Sequence, residues 1–276
     1  ILAELQRVAS HLLWLGTFAM DLGGALGGGT SLFMYCFRER ELVLDLFEEL
    51  TGCRFHYNTH CIGGNRHDVP MRWPKSIHRT LETISARIEQ YFGMLDHPIF
   101  RDRTLGVGTI DAELALELGL TGPLLRASGI DHDLRRDAPY HIYDLIDLNV
   151  ATHSGGDCWA RYKVRVEEIR ESIRVVRMLV DNIPAGKLCS TKALNMVTQF
   201  KATSGQVYVG IETPRGELGT WLIASSDRST SPYRMKIRPP SLHAVSVIPY
   251  ILPKHTISDA VAILGSLDPI MGDVDR

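Results

Sequence analysis

The sequence has little of what usually assigns a function directly. Its five cysteines form no CxxC pair, which favours free thiols in a reducing compartment over a disulfide framework. It has no run of about 18 apolar residues, the length that a membrane-spanning helix needs. The net charge of −2 lacks the basic excess on which non-specific binding to nucleic acid depends. GxSxG, HExxH and P-loop motifs are absent, and the GVG of residues 106–108 lacks the context of a dinucleotide-binding loop.

An initiator methionine and a signal peptide are missing as well, and Ile1 falls within a helical pattern. We therefore interpret the sequence as a fragment that has lost its N-terminal part. With 276 residues, of which 45% are hydrophobic, it is still long enough for one large globular domain or two modest ones.

Helical periodicity dominates what is present. Apolar residues recur at helical spacing up to Asp21, and similar patterns predict helices over residues 31–52, 75–95 and 157–182. GGALGGG, between the first two helices, is too rich in glycine for regular structure. The helix over residues 157–182 carries an apolar seam with steps of three and four, typical of packing against other helices. The seam consists of Trp159, Tyr162, Val166, Ile169, Ile173, Val176 and Val180.

The last third of the chain changes character. Alternating patterns predict strands over residues 206–212, 220–225 and 233–240, with a turn over residues 213–219 between the first two. A final helix is expected over residues 256–267. These elements predict an α+β fold that is mostly helical, with a small antiparallel sheet near the C-terminus. No repeat or linker divides the chain, so we interpret residues 1–276 as one domain.

Three groups of polar residues are candidates for chemistry. The first group consists of possible zinc ligands: Cys53, His56, His60, Cys61 and His67. Their spacing matches no structural zinc site, so we prefer to interpret this segment as a polar loop. In LRASG and TPRGELG, Arg126 and Arg215 lie between small residues, and solvent-exposed turns are preferred for both. The third group is the charged tail after an apolar helix: Asp268, Asp273, Asp275 and Arg276.

Six segments, taken in order, carry a family resemblance: ELQRVASHLLWLGTFAMDLG, FRERELVLDLFEELTG, LGLTGPLLRASG, ARYKVRVEEIRESI, GQVYVGIETPRGELG and AILGSLDPIMGDVDR. Together they resemble the 49-kDa-type (D) subunit of respiratory complex I, the proton-pumping NADH–quinone oxidoreductase. That subunit is similar to the large subunit of nickel–iron hydrogenases. The resemblance therefore implies a hydrogenase-like helical core, with the family's N-terminal sheet region absent from this chain.

The resemblance also gives the tail a role. In hydrogenase large subunits the matching motif supplies two thiolates that hold nickel, whereas this chain has Ile270 and Asp273 at those positions. Isoleucine cannot ligate a metal, and a carboxylate is a poor substitute for a soft thiolate. No metal is therefore expected, and the vacated cavity is expected to receive a quinone headgroup. We predict that the tail is buried and lines this site.

Few residues can be assigned to that site. Asp21 matches the family's aspartate that orients a headgroup-binding histidine, which lies in the absent region, and it is the expected catalytic residue. The expected quinone-binding residues are Leu13, Thr17, Phe33, Phe37, Asp273 and Val274. The apolar members would fit helical packing equally well. Asp21 lies at the negative end of a helix, where a carboxylate needs a partner.

Two departures from the family pattern concern the surroundings of the site. GGALGGGTS is several residues longer than the usual link, and Cys61 replaces an arginine before the Gly-Gly of IGG. We therefore expect the surroundings of the cavity to differ from those in the family.

The function that the resemblance implies is that of a quinone-site subunit, active only within a multisubunit translocase. It would bind no cofactor itself and would hold quinone near the terminal iron–sulfur cluster of a neighbour, with NADH, FMN and the iron–sulfur clusters in partner subunits. The expected partners are the iron–sulfur subunit with the terminal cluster, the 30-kDa-type (C) subunit and the membrane H-type subunit. The expected location is peripheral, on the cytoplasmic face of a bacterial inner membrane or the matrix side in mitochondria. Two alternatives stay open: a non-catalytic structural homologue, and the large subunit of a membrane-bound energy-converting hydrogenase.

Overall fold

The computed structural model describes residues 1–23, 29–190, 192, 203–225 and 231–276. Helices form most of it, and the long ones confirm the predicted pattern. Their bounds are α1 Leu2–Asp21, α2 Gly29–Thr51, α3 Trp73–Leu95, α4 Pro98–Thr104, α5 Ala112–Glu117, α6 Pro123–Ala127, α7 Leu134–Asp137, α8 Cys158–Val180, α9 Pro240–Ser246, α10 Ile248–Ile251, α11 Ile257–Leu267 and α12 Met271–Val274. Of the predicted glycine-rich interruption, residues 24–28 lie outside the described residues.

The strands form two antiparallel sheets. They are β1 His60–Cys61, β2 Gly64–Asn65, β3 Gly205–Thr213, β4 Gly216–Ala224 and β5 Arg234–Arg238. The strand order of the larger sheet is β3-β4-β5, which confirms the predicted small sheet and the α+β class. The predicted turn over residues 213–219 was too long, because the ladder already resumes where Thr213 pairs with Gly216. Only Pro214 and Arg215 connect β3 and β4.

The two N-terminal helices pack unusually closely, and glycine makes this possible. A Cβ atom added at Gly16 of α1 would lie 3.2 Å from Cys36 Cβ and 3.3 Å from the Cα atom of Phe33, both on α2. A Cβ atom added at Gly29 would lie 2.5 Å from the carbonyl oxygen of Ala19. Backbone therefore meets backbone at two points along the pair, and neither point has room for a larger residue.

Helix α8 is the predicted spine, and every member of its apolar seam is buried. Its start is fixed by Asp157, whose carboxylate accepts hydrogen bonds from the backbone N–H of Ala160 and of Gly106, both at 2.7 Å. The same helix also directs Arg161, Arg165 and Glu168 into the interior, where each is at most 2% exposed. One helix thus supplies both the apolar core and a set of buried charges.

The C-terminal tail is largely buried only at its root, where the Asp268 side chain is 9% exposed, and beyond that residue the prediction that the tail is buried was wrong. After α11, the short helix α12 lies against α9, where Asp273 accepts a hydrogen bond from the backbone N–H of Ser241 at 2.9 Å. Ile270 and Met271 are 42% and 62% exposed. The reason is geometric: a four-residue helix held along one side leaves its other side uncovered. Among the described residues, no helix has both the length and the apolar character needed to cross a membrane.

Candidate functional site

The predicted α1 residues lie on one face of the helix. Leu13, Thr17 and Asp21 follow each other at intervals of four, so their side chains stand one above another. Leu13 and Thr17 are half-buried and Asp21 is exposed, whereas the neighbouring positions of α1 are largely buried. The Thr17 hydroxyl donates to the backbone carbonyls of Trp14, at 2.9 Å, and of Leu13, at 3.2 Å. The face is therefore a partly uncovered strip, which we call the α1 strip.

The predicted aromatic residues lie beside the α1 strip. The rings of Phe33 and Phe37 on α2 have centroids 4.2 Å apart, and both side chains are half-buried. Phe33 faces Gly16 of α1. A Cβ atom added at Gly16 would lie 3.3 Å from the Cα atom of Phe33 and 3.5 Å from its ring. The close approach of the two helices thus places the aromatic pair next to the strip.

Asp273 and Val274 lie on α12, and the structure does not join them to the α1 strip by any hydrogen bond among the described residues. Both are half-buried. The carboxylate of Asp273 bonds to Ser241 on α9 instead. The predicted site residues therefore fall into two groups, one on α1 and α2 and the other on the tail.

No side chain that the structure describes compensates the negative charge of the Asp21 carboxylate. It is the last residue of α1, and the final turn contains no basic side chain. No hydrogen bond or ion pair joins its carboxylate to any residue that the structure describes. Its Oδ2 atom lies against α11, 3.1 Å from the position that a Cβ at Gly265 would take. Although the residue as a whole is exposed, this contact partly removes the carboxyl from water, which raises the pKa of Asp21. The negative end of the helix dipole acts in the same direction.

A network of buried charges, which the sequence did not reveal, joins α1, α6, α8 and β3. At its centre the fully buried Arg126 forms ion pairs with Glu168 at 2.7 Å and with Glu212 at 3.0 Å. His11 Nε2 lies 2.8 Å from the second carboxylate oxygen of Glu168. Arg7 donates to the backbone carbonyls of Glu212 and Thr213 at 3.0 and 3.1 Å. The network therefore fastens the sheet to the helical core.

A second part of the network surrounds Glu4. Arg135 bonds to Glu4 at 3.1 Å and to Asp133 at 2.7 Å. The Glu4 carboxylate also accepts hydrogen bonds from Ser172, at 2.6 Å, and from the Tyr143 hydroxyl. Burial alone would raise the pKa of Glu4, but these partners and Arg7 lower it to about 2. The Glu4 carboxylate is therefore held in its charged form inside the protein.

Burial and the neighbouring charges shift the pKa values of the network in different directions. Burial lowers the pKa of His11 to about 4, so its imidazole is neutral at pH 7. Burial raises the pKa of Glu212, whereas Arg126 and His11 hold that of Glu168 well below its usual range against the effect of burial. Four carboxyl groups thus face three guanidinium groups inside the protein. The carboxyl groups are those of Glu4, Asp133, Glu168 and Glu212, and the guanidinium groups are those of Arg7, Arg126 and Arg135. Because buried charges need partners, the raised pKa of Glu212 acts against an excess of negative charge.

Arg126 was thus wrongly predicted to lie in an exposed turn, because it is buried on α6. Arg215 does lie in the turn between β3 and β4, but its side chain is largely covered rather than exposed. Arg215 forms an ion pair with Asp268 at 2.9 Å and donates to Ser10 Oγ at 3.1 Å, which fastens the root of the tail to α1. Their partners are far away in sequence, so local spacing could not reveal them. One signal was available: Arg165 and Glu168 fall among the apolar seam positions of α8, where charged side chains need buried partners.

The cysteine- and histidine-rich segment forms the hairpin of β1 and β2. Among the described residues, no group of three or more histidine, cysteine or acidic side chains is arranged to hold a metal ion. His60 instead hydrogen-bonds to Asn65 across the hairpin at 2.8 Å. The segment is thus a short hairpin with polar side chains paired across it, and the preferred interpretation of a polar loop overlooked its two short strands.

The described residues thus form a mostly helical α+β protein with a buried ion network and, on α1, a partly uncovered strip beside an aromatic pair. Residues 27–276 match the family described as the respiratory-chain NADH dehydrogenase 49 Kd subunit, and the chain belongs to this family. The membership in complex I that was predicted from the six segments is confirmed.

Relatives with assigned names agree with this family. The chain is 42% identical over 297 residues to an H-type subunit of the NAD(P)H-quinone oxidoreductase of Gloeobacter violaceus. It is 40% identical over 299 residues to a D-type subunit of the NADH-quinone oxidoreductase of Rhizobium etli. It is also 40% identical over 298 residues to the D-type subunit of the NADH-quinone oxidoreductase of Methylacidiphilum infernorum. The alignments cover 100% of this chain and 74, 72 and 70% of the three relatives, respectively.

Proposed function

We propose that this chain is the quinone-site subunit of a proton-translocating NADH–quinone oxidoreductase and is active only within the assembled complex. Family membership supports the complex, and the names of the relatives support quinone as the acceptor. The observation that carries the site is Asp21, a carboxylate with no partner among the described residues at one end of the partly uncovered α1 strip. An uncompensated carboxylate at a helix C-terminus is unfavourable, so a functional role accounts for it better than a structural one.

In this proposal the described side chains have distinct tasks. Leu13 and Thr17 flank the headgroup on the α1 strip, and Phe33 and Phe37 line its path. Asp273 and Val274 contribute to the wall from the tail. The Asp21 carboxylate accepts a hydrogen bond from the headgroup-binding histidine that the family resemblance implies. A carboxylate partner fixes the orientation of such a ring and favours its protonated form, which is the form that donates to a quinone oxygen.

The rest of the proposed assembly follows from the family. This chain would bind no cofactor of its own, and NADH, FMN and the iron–sulfur clusters would be held by partner subunits. The terminal-cluster subunit, the 30-kDa-type subunit and the membrane H-type subunit are the proposed neighbours, with the chain peripheral to the membrane. Its helical core would be that of a hydrogenase large subunit, organised as a single domain. The buried apolar cluster, which runs from Leu5 to Leu267, supports one domain.

The test of the site is Asp21→Asn in the assembled complex. Asparagine keeps the shape and the hydrogen-bonding capacity but removes the charge. Loss of a charge-assisted hydrogen bond of about 1.5–3 kcal/mol corresponds to a fall of about 10- to 150-fold in quinone reduction. The loss should be greatest at high pH, because the pKa of the histidine would be lower without the carboxylate. Electron transfer from NADH to ferricyanide, which accepts electrons upstream of quinone, should stay near the wild-type rate.

The matched control is Asp102→Asn, which removes an exposed helical carboxylate on α4 that forms no hydrogen bond or ion pair with the described residues. It should leave both activities unchanged. Wild-type quinone reduction by the Asp21→Asn complex at every pH would show that Asp21 has no part in the site.

A further inference from the structure

Two thiols from distant parts of the sequence face each other beside the β1–β2 hairpin. The Sγ atoms of Cys61, on β1, and Cys189, in the segment after α8, lie 3.8 Å apart. Both cysteines are free and partly exposed. Among the described residues no other hydrogen bond joins two sulfur atoms. The pair is therefore distinct from Cys36 and Cys158, which are buried, and from the exposed Cys53.

The backbone holds the two segments in register. The N–H of Asn65 donates to the carbonyl of Leu188 at 2.9 Å, and the N–H of Ser190 donates to the carbonyl of Gly63 at 3.0 Å. These two bonds form an antiparallel bridge between Gly64 and Cys189. The proximity of the sulfurs thus follows from main-chain pairing and not from the rotamer of a single exposed side chain.

Gly64 allows the thiols to meet. It pairs with Cys61 on one side and with Cys189 on the other, so the two cysteines flank a residue without a side chain. A Cβ atom at this position would lie 2.0 Å from the carbonyl oxygen of Leu188 and 2.9 Å from the Cα atom of Cys189. Its φ of +150° is also rarely adopted by other residues. Any side chain here would push the two segments apart.

We propose that Cys61 and Cys189 form a reversible intrachain disulfide that fastens the hairpin to the segment after α8. A disulfide needs a sulfur–sulfur distance of about 2.05 Å, so the two atoms must approach each other by a little under about 2 Å. Because Cys61 and Cys189 flank β2 on opposite sides, a shift of the whole hairpin is not enough, and the segment after α8 has to leave its bridge to Gly64 and move towards Cys61. Both segments lie at the surface, which leaves room for this movement.

The oxidant we assign is a small dissolved disulfide, with glutathione disulfide as the probe. The Cys189 thiolate attacks one sulfur of glutathione disulfide, and a glutathione thiolate leaves. The Cys61 thiolate then attacks the Cys189 sulfur of the mixed disulfide and releases the second glutathione thiolate. Two protein thiols are oxidised, one disulfide is reduced to two thiols, and the protons pass to the released glutathione.

The disulfide would act at the rim of a cavity. A space of about 390 Å³ opens next to Cys61, and its walls include Leu2 of α1, His141, Tyr143 and Leu179. Joining the hairpin to the segment after α8 would restrict the movement of this rim. Because the family resemblance implies an arginine where this chain has Cys61, the disulfide would be a property of this chain rather than of the family. It is also independent of the proposed quinone site.

The experiment uses the assembled complex, reduced and then incubated with increasing concentrations of glutathione disulfide. Free thiols are blocked with N-ethylmaleimide, and the chain is digested without reduction for mass spectrometry. We expect a linked peptide pair that contains Cys61 and Cys189 and disappears after dithiothreitol treatment. Cys61→Ser and Cys189→Ser should each abolish the pair, whereas Cys53→Ser, at an exposed cysteine of the same chain, should leave it unchanged.

Two results would overturn the proposal. One is separate alkylation or separate glutathionylation of Cys61 and Cys189 under conditions that fully modify Cys53. The other is a link from either cysteine to a different subunit. Should a serine variant fail to assemble, phenylarsine oxide on the wild-type complex decides the matter, because this reagent bridges paired thiols. If the proposal is right, phenylarsine oxide protects Cys61 and Cys189 together from N-ethylmaleimide. Protection of only one of them, or of neither, contradicts the proposal.

Discussion

Replacing Glu168 by glutamine removes one negative charge from the centre of the buried network. The carboxylate lies between Arg126 at 2.7 Å and His11 at 2.8 Å, with Arg7 at 3.6 Å. All of these side chains are at most 2% exposed, so water cannot replace the lost charge. Breaking a buried ion pair by neutralising one partner costs about 3–5 kcal/mol of folding free energy. We expect Glu168→Gln to lose that much stability.

Glu212 makes the prediction more specific. In the wild-type chain burial raises the pKa of Glu212, whereas that of Glu168 is held well below its usual range, so we expect Glu212 to be the carboxyl that gives up its charge more readily. Without Glu168, the uncompensated Arg126 would lower the pKa of Glu212, and an ionised Glu212 would restore part of the balance. Glu212→Gln alone should therefore cost only about 1 kcal/mol, as for one altered hydrogen bond. The double variant should lose about 1–3 kcal/mol more than the sum of the two single losses, because the replacement charge is gone.

Pulse proteolysis of the assembled complex in urea measures these differences, because the band of this chain can be followed on a gel. The control is Glu89→Gln, which breaks the exposed ion pair with Arg170 at 2.7 Å and should cost at most about 1 kcal/mol. The reasoning fails if Glu168→Gln behaves like Glu89→Gln. It also fails if Glu212→Gln costs as much as Glu168→Gln, since Glu212 would then carry a charge in the wild-type chain.

Three further outcomes are expected. Glu4→Gln should cost up to about 3 kcal/mol at pH 7, since the pKa of Glu4 is held at about 2, well below its unfolded value. This contribution to stability is present above the unfolded pKa and is lost as pH falls towards about 2. The free energies of unfolding of the variant and the wild type, plotted against pH, should therefore converge there. Plots that stay parallel would contradict the assignment. Val274→Met should add bulk to the proposed cavity wall, which should weaken the binding of quinone-site inhibitors by about 1–3 kcal/mol while assembly stays intact. Unchanged inhibition across several bulky replacements would place Val274 outside the wall. Elemental analysis of the complex should find no stoichiometric nickel at the tail, because Ile270 and Asp273 stand where the family resemblance implies the thiolates of hydrogenases. Nickel at one ion per chain would refute this.

Local patterns in the sequence predicted most of the regular structure. The seam of α8 and the alternation in β3 to β5 depend on neighbours within a few residues, and these elements formed close to their predicted bounds. The turn between β3 and β4 was predicted too long, because turn-forming residues such as Gly216 also fit the end of a ladder.

The buried network could not be predicted in this way. Arg126 is separated by 42 residues from Glu168 and by 86 residues from Glu212, and only the tertiary fold brings them together. The α1 strip was located by family resemblance, and spacing added only that its members share a face. The exposure of the tail was missed because the apolar pattern of α11 does not indicate whether the residues after this helix are covered.

The glycine contacts between α1 and α2 have a mechanical consequence. Because Gly16 meets Phe33 and Gly29 meets Ala19 at backbone distance, the two helices can neither slide nor separate without losing both contacts. If a quinone passes along Phe33 and Phe37, its entry must therefore depend on rotation of the aromatic rings, which takes place far faster than movement of whole helices. The two glycines would thus keep the backbones of α1 and α2 fixed relative to each other, so that only side chains move when the path opens.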